Sequence, residues 1–293
     1  MGIVLDSQVV LGEIVKRRCI ADVTAPPHKK FLSLQQTIPA ATIAHMADTC
    51  AADRSAPSQR PADDVAASVN DGKIHLLLAA TGSVATIKLP NIISSLSKHP
   101  NLSIRVILTK AAARFLTQTL EKPSLTSIAS LPNVDSVYED EHEWVTPWSR
   151  GTEILHITLR RWAHMMVIAP LSANTLAKVV NGISDTLLTS VIRAWDTTGT
   201  IDGKKSRIIV APAMNTAMWV HPITAQQVRV LEEDWGVKTI NAKDEESGVA
   251  QQGWFEVLRP IDKTLACGDV GTGAMLEWTE IVKIIENRLS LSS

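Results

Sequence analysis

Four apolar runs set the rhythm of the chain, at 74–80, 103–109, 165–170 and 207–213. Each is six or seven residues long and lacks polar alternation, as expected of strands buried on both faces. Segments at 84–96, from 111 onward and at 172–180 space their apolar residues at helical intervals. A fifth strand is predicted over 236–240. Strands alternating with helices predict an α/β fold, an open Rossmann-like parallel sheet with helices on both faces. In such sheets ligands gather where strands end. The strings TGSVATIK from Thr81, APLSANT from Ala169 and PAMNTAMW from Pro212 all start at predicted strand ends, so they fall along one rim.

The first 72 residues break the rhythm. Positions 47–72 are rich in Ala, Ser, Pro and Asp without a sustained apolar period, which reads as a disordered linker. The expected organisation is therefore an extension over 1–72 and one domain over 73–293. Two stretches interrupt the domain pattern. One, at 197–205, is rich in Gly, Thr and Lys. The other, at 241–262, opens with KDEE and is expected to form a hairpin or lid.

Composition narrows the function. With 293 residues and 45% hydrophobic positions the chain can bury a sizeable core. A net charge of −1 gives no electrostatic case for nucleic acid or an anionic membrane. No apolar run reaches the roughly 20 residues of a membrane span. Three widely separated cysteines, Cys19, Cys50 and Cys267, make neither a disulfide framework nor a metal knuckle, so no metal is expected. A reducing, cytoplasmic setting follows.

Several positions carry candidate chemistry. Gly82 and Ser83 place an open backbone and a cap at a helix start, which serves either an ordinary βα turn or an anion. Ser172, Asn174 and Thr175 crowd three short polar side chains into one first turn. Asn215 is a cap or a group that orients a carboxylate or amide. His156 sits near a helix start, where the dipole disfavours its protonated form. Arg160 and Arg161 read as ion pairs. Cys267 lies in the glycine-rich CGDVGTG, a setting that favours an exposed thiol on a flap over a buried small hydrophobe.

Together these strings resemble the flavin-containing cysteine decarboxylases, and within them the phosphopantothenoylcysteine decarboxylases. The stretches LLLAATGSVATIK, LHITLRRWAHMMVIAPLSANTLAKV, DTLLTSVIRAWD, VAPAMNTAMW and LACGDVGTGAM occur in the family's order, over about 74–276. The resemblance implies a single flavoprotein domain that binds FMN. Gly82, Ser83 and Val84 would hold the cofactor with Ser172, Ala173, Asn174 and Thr175. Thr109, Lys110, Ala111 and Ala213 would also line its site. His156 would be the active-site base, Asn215 the residue that binds the substrate carboxylate, and Cys267 the proton donor. The implied reaction converts 4′-phosphopantothenoylcysteine to 4′-phosphopantetheine in coenzyme A biosynthesis. Oxidation of the thiol-bearing carbon makes a C=S group that accepts the electrons left behind by CO2, and the reverse electron transfer makes the overall reaction redox-neutral.

The family assembles as trimers, so a homotrimer, or a heterotrimer with paralogues, is expected, with His156 of one protomer meeting Asn215 of the next. The resemblance also brings an alternative, since some fungal relatives act as inhibitory subunits of a type-1 (PP1-like) protein phosphatase. The chain keeps His156, Asn215 and Cys267, which favours the enzyme. It departs from the family at Val270, where an aromatic is common, and at Thr272, where Asn is common.

Overall fold

The structure, a computed structural model, describes residues 60–117, 125–145, 147–238, 252–264 and 270–291. A six-stranded sheet organises them. Its strands are β1 (Ile74–Ala80), β2 (Leu102–Leu108), β3 (Val134–Tyr138), β4 (Met165–Leu171), β5 (Arg207–Pro212) and β6 (Phe255–Val257). They lie in the order β3-β2-β1-β4-β5-β6, and every neighbouring pair is parallel. This is the doubly wound Rossmann arrangement that the alternation predicts. Strand order reverses between β1 and β4, which opens a crevice at their carboxyl ends.

The continuous apolar runs are explained by burial on both faces. Leu77 and Ala79 of β1, with Met166 and Ile168 of β4, face one core, closed by helices Leu155–Trp162 and Leu187–Arg193. Leu76, Leu78, Met165 and Val167 face the other, closed by helices Leu89–Leu96 and Trp278–Arg288. Each fully buried Leu or Ile contributes about 1.5–3 kcal/mol of transfer free energy.

Several expectations change. The helix predicted over 84–96 is a 3-10 turn, Val84–Lys88, followed by an α-helix, Leu89–Leu96, because Pro90 enters at the first helical turn. The sixth strand is Phe255–Val257, not the predicted 236–240. Gly236 makes one isolated bridge to Phe255, Val237 and Lys238 are not in a strand, and 239–240 lie outside the described residues. Strand β3 was not predicted at all. At the sheet edge only Tyr138 of its five residues is buried, so it lacks the apolar run that marks the central strands.

The stretch read as linker contributes a helix. Pro61–Ala67 follows Arg60, with proline at its start, and buries Ala62 and Val65 in the core. Ser68, just past its end, accepts a hydrogen bond from Arg105 at 3.0 Å. Two apolar residues one turn apart are too few to register as a period. The expectation for 1–59 lies outside the described residues.

The first insertion is a loop wound around Asp196. Its buried carboxylate accepts N–H bonds from Thr198, Gly199, Ile201 and Asp202. Burial alone would raise this carboxyl, but those backbone donors and the Thr198 hydroxyl lower it to about 2. Arg160 reaches the same loop through Asp202 at 2.8 Å and Arg161 pairs with Glu153, so both arginines form ion pairs. The second insertion, expected as a hairpin or lid, lies outside the described residues over 241–251, and its remaining part joins two sheets. Phe255–Val257 joins the main sheet, and Ile261–Thr264 (β7) pairs antiparallel with Val270–Ala274 (β8). No helix among the described residues is long and apolar enough to cross a membrane.

Candidate active site

Thr81, fully buried after β1, ties the two strands at the switch point together. Its hydroxyl donates to the Pro170 carbonyl at 2.9 Å and accepts the Ser172 N–H at 2.7 Å. The Ala169–Pro170 peptide is cis. Ser172 then caps helix Ala173–Val180, accepting from the Thr175 N–H at 3.3 Å. Ser83 caps the opposite 3-10 turn through the Ala85 N–H. Two element starts therefore flank one crevice. Gly82 is required by space. A Cβ there would lie 2.7 Å from the Ala111 Cβ.

A cavity of about 470 Å³ fills the crevice, within the usual range of small-molecule and cofactor sites. Gly82, Ser83 and Val84 line one wall, and Ser172, Ala173 and Asn174 another. Ala213 and Asn215 close it from β5. Four residues assigned with them do not line it. Thr109 caps the next helix by accepting the Ala112 N–H. Lys110 is exposed and pairs with Glu141 at 2.7 Å. Ala111 packs behind Gly82, and Thr175 is buried against the Ser172 hydroxyl.

The sequence reading missed part of the wall. Phe115, Lys88 and the segment from Gly273 to Trp278 also face the cavity. The last of these leaves β8, whose only advance signal was the glycine pattern of GTGAM. Met214 and Met218 line the cavity too.

Asn215 starts a four-residue helix, Thr216–Trp219, and its Oδ1 accepts the Ala217 N–H at 2.8 Å. The hairpin docks beside it. Met214 N–H donates to the Gly273 carbonyl at 3.0 Å. A Cβ on Gly271 would collide with Thr216 Oγ1 at 2.7 Å, and one on Gly273, at φ +130°, with the Met214 carbonyl. Both glycines are thus needed for the close approach of hairpin to amide. Cys267, between β7 and β8, lies outside the described residues.

His156 is not among the residues lining this cavity. It enters helix Leu155–Trp162, as the spacing predicts. Nothing in the sequence around His156 marks its neighbour. Glu143 places Oε1 at 2.8 Å from His156 Nδ1, while Oε2 accepts the His156 backbone N–H at 3.1 Å. The Glu143 side chain is 6% exposed and the imidazole 24%. Glu143 belongs to a 3-10 turn, Asp140–Trp144, that had no hydrophobic signature. Trp144, Val145 and Trp148 beside it are exposed, at 70%, 60% and 57%. No cluster of metal-ligating side chains occurs among the described residues.

The family described as Flavoprotein matches residues 64–290, nearly the whole sheet-bearing unit. The chain belongs to the Flavoprotein family. This flavoprotein is 42% identical over 205 residues to the phosphopantothenoylcysteine decarboxylase of Oryza sativa subsp. japonica, covering 70% of this chain and 76% of the relative. It is 40% identical over 223 residues to a protein of Schizosaccharomyces pombe named a probable thymidylate synthase, covering 76% of this chain but only 30% of that relative. The chain thus spans under a third of the length of that curated relative. Among solved structures, a cysteine-to-serine variant of a PPC decarboxylase complexed with pantothenoylaminoethenethiol superposes with a TM-score of 0.57 at 38% identity. That match covers 74% of this chain and 99% of the other. The fold and family expected from the motifs are therefore correct.

Proposed function

We propose that this flavoprotein binds FMN and decarboxylates 4′-phosphopantothenoylcysteine to 4′-phosphopantetheine, a step of coenzyme A biosynthesis. The observation that carries this reading is the cavity at the switch point. Two element starts present backbone donors there, Gly82 has no room for a side chain, and Asn215 stands on the facing wall. The donor set suits a phosphate at Gly82–Val84 and Ser172–Asn174, and the apolar wall of Phe115, Met218 and Met275 suits a flat ring.

FMN, when bound, supplies a reversible two-electron sink. The chain's residues do the rest. His156, with Nδ1 occupied by Glu143, offers Nε2 to the substrate thiol proton. Asn215 orients the departing carboxylate. Its neutral amide does this without the ground-state stabilisation that an arginine would give to the charged group. Methionines and Trp278 along the wall exclude water. Cys267 returns a proton to carbon as the product forms.

Among the described residues His156 does not line the cavity that Asn215 lines, which supports a trimer in which a neighbour's His156 completes the site. Exposed Trp144, Val145 and Trp148 next to Glu143 form an apolar patch of the kind that a second copy covers. The test is direct. The purified protein is expected to be yellow with FMN near one per chain, to release CO2 from the substrate, and to sediment as a trimer. A colourless protein that cannot be reconstituted overturns the reading.

A further inference from the structure

We infer that Glu143 is the positioning residue of His156, fixing its proton on Nδ1 and leaving Nε2 bare. The role rests on His156 being the base proposed above. Both carboxylate oxygens of Glu143 are committed to one residue, Oε1 to the ring Nδ1 and Oε2 to the backbone N–H. An ionised carboxylate only accepts hydrogen bonds, so the Nδ1 facing it must carry hydrogen. The opposite nitrogen of the neutral ring is then the acceptor, as a base requires. Two contacts to one carboxylate also fix the ring's direction, since neither can rotate without breaking the other.

The surrounding chain holds Glu143 in place. The 3-10 turn that carries it is closed by a reciprocal Glu139–His142 cap, and Asp140 Oδ1 accepts the Leu187 N–H at 2.9 Å. Helix Leu155–Trp162 starts at Ile154, which has no capping side chain. Glu143, from thirteen residues upstream, therefore also caps a first-turn N–H. Capping alone is the competing explanation, and one substitution separates the two.

Glu143→Gln keeps shape and keeps one oxygen for the backbone N–H. Its NH2 then faces Nδ1 as a donor and calls for the opposite tautomer. The reverse amide orientation would set NH2 against the backbone N–H. The test uses full-length, FMN-loaded protein labelled with 15N. In the wild type the His156 ring is expected as the Nδ1–H tautomer, and in Glu143→Gln as Nε2–H. Turnover should fall about 100-fold or more, the size of a general-base contribution, with KM, flavin content and Tm close to wild type. Glu143→Asp, which keeps a carboxylate, should restore part of the Nδ1–H signal and of the turnover. An unchanged tautomer, or unchanged turnover alongside an inactive His156→Asn, overturns the role of Glu143. A fully active His156→Asn instead overturns the base assignment, and with it the catalytic role inferred for Glu143.

Discussion

Thr81 and Ser172 are bonded across the switch point, hydroxyl to backbone N–H at 2.7 Å, although ninety-one residues separate them. Thr81 is fully buried, so no water can replace its oxygen. Thr81→Val keeps the volume and orphans the Ser172 N–H. Stability should fall by about 1–3 kcal/mol, the cost of a buried unsatisfied donor. Urea unfolding reads the loss, and FMN titration should show weaker binding because Ser172 caps the opposing helix. Unchanged values in both would remove Thr81 from the architecture of the site.

Gly82→Ala should weaken FMN binding at least tenfold, because the new methyl would stand 2.7 Å from the Ala111 Cβ. The second-site change Ala111→Gly removes that collision. Flavin fluorescence titration should show the double variant binding better than Gly82→Ala alone. No recovery would mean that Gly82 serves the cofactor directly and not the packing of the two loops.

Asn215→Asp separates capping from chemistry. Aspartate caps a helix as well as asparagine does, so the Ala217 bond is kept and Tm should hold. Its negative charge opposes a substrate carboxylate, so turnover should drop by about two orders of magnitude or more with FMN still bound. Steady-state CO2 release decides the point, and near-normal turnover would free Asn215 from that role.

Cys267→Ser should stop the reaction after CO2 has left, since a serine hydroxyl is a far weaker acid than a thiol. Mass spectrometry of the released product should find the oxidised enethiol in place of the aminoethanethiol. The normal product at a normal rate would remove Cys267 from the mechanism.

His164 links folding to pH. Desolvation of the ring face packed on His75, with the charges of Lys204 and His75, lowers its ring from 6.5 to about 4, although the residue is exposed overall and solvent screens part of that effect. Its Nδ1 accepts the His75 backbone N–H at 2.9 Å, and its ring stacks on that of His75. The unfolded chain takes up this proton near pH 6.5, the folded chain only near 4. Between those values the unfolded state binds more protons, so stability falls as pH drops through the window and levels off below it. His164→Gln cannot titrate and should flatten the profile of urea midpoints over that range. Parallel profiles would exclude His164 as the source.

What the residues announced, and what escaped them, follows from range. Strands β1, β2, β4 and β5 were legible because burial on both faces demands an unbroken apolar run. β3 and β6 were not, because edge strands bury less and need no such run. The walls at Gly82–Val84, Ser172–Asn174 and Asn215 were legible because capping chemistry is local. Phe115 and the residues from Leu276 to Trp278 look ordinary in sequence and join the cavity only through packing.

The sequence by itself determined the α/β alternation, the rim on which its polar strings fall, and the family that those strings mark. Periodicity and capping act over a few residues, so a linear reading captures them. Tertiary structure decided the strand order, the docking of helix Pro61–Ala67, and the pairing of Glu143 with His156. A carboxylate has no preferred partner along the chain. Only the folding of the Asp140–Trp144 turn against helix Leu155–Trp162 gives it one.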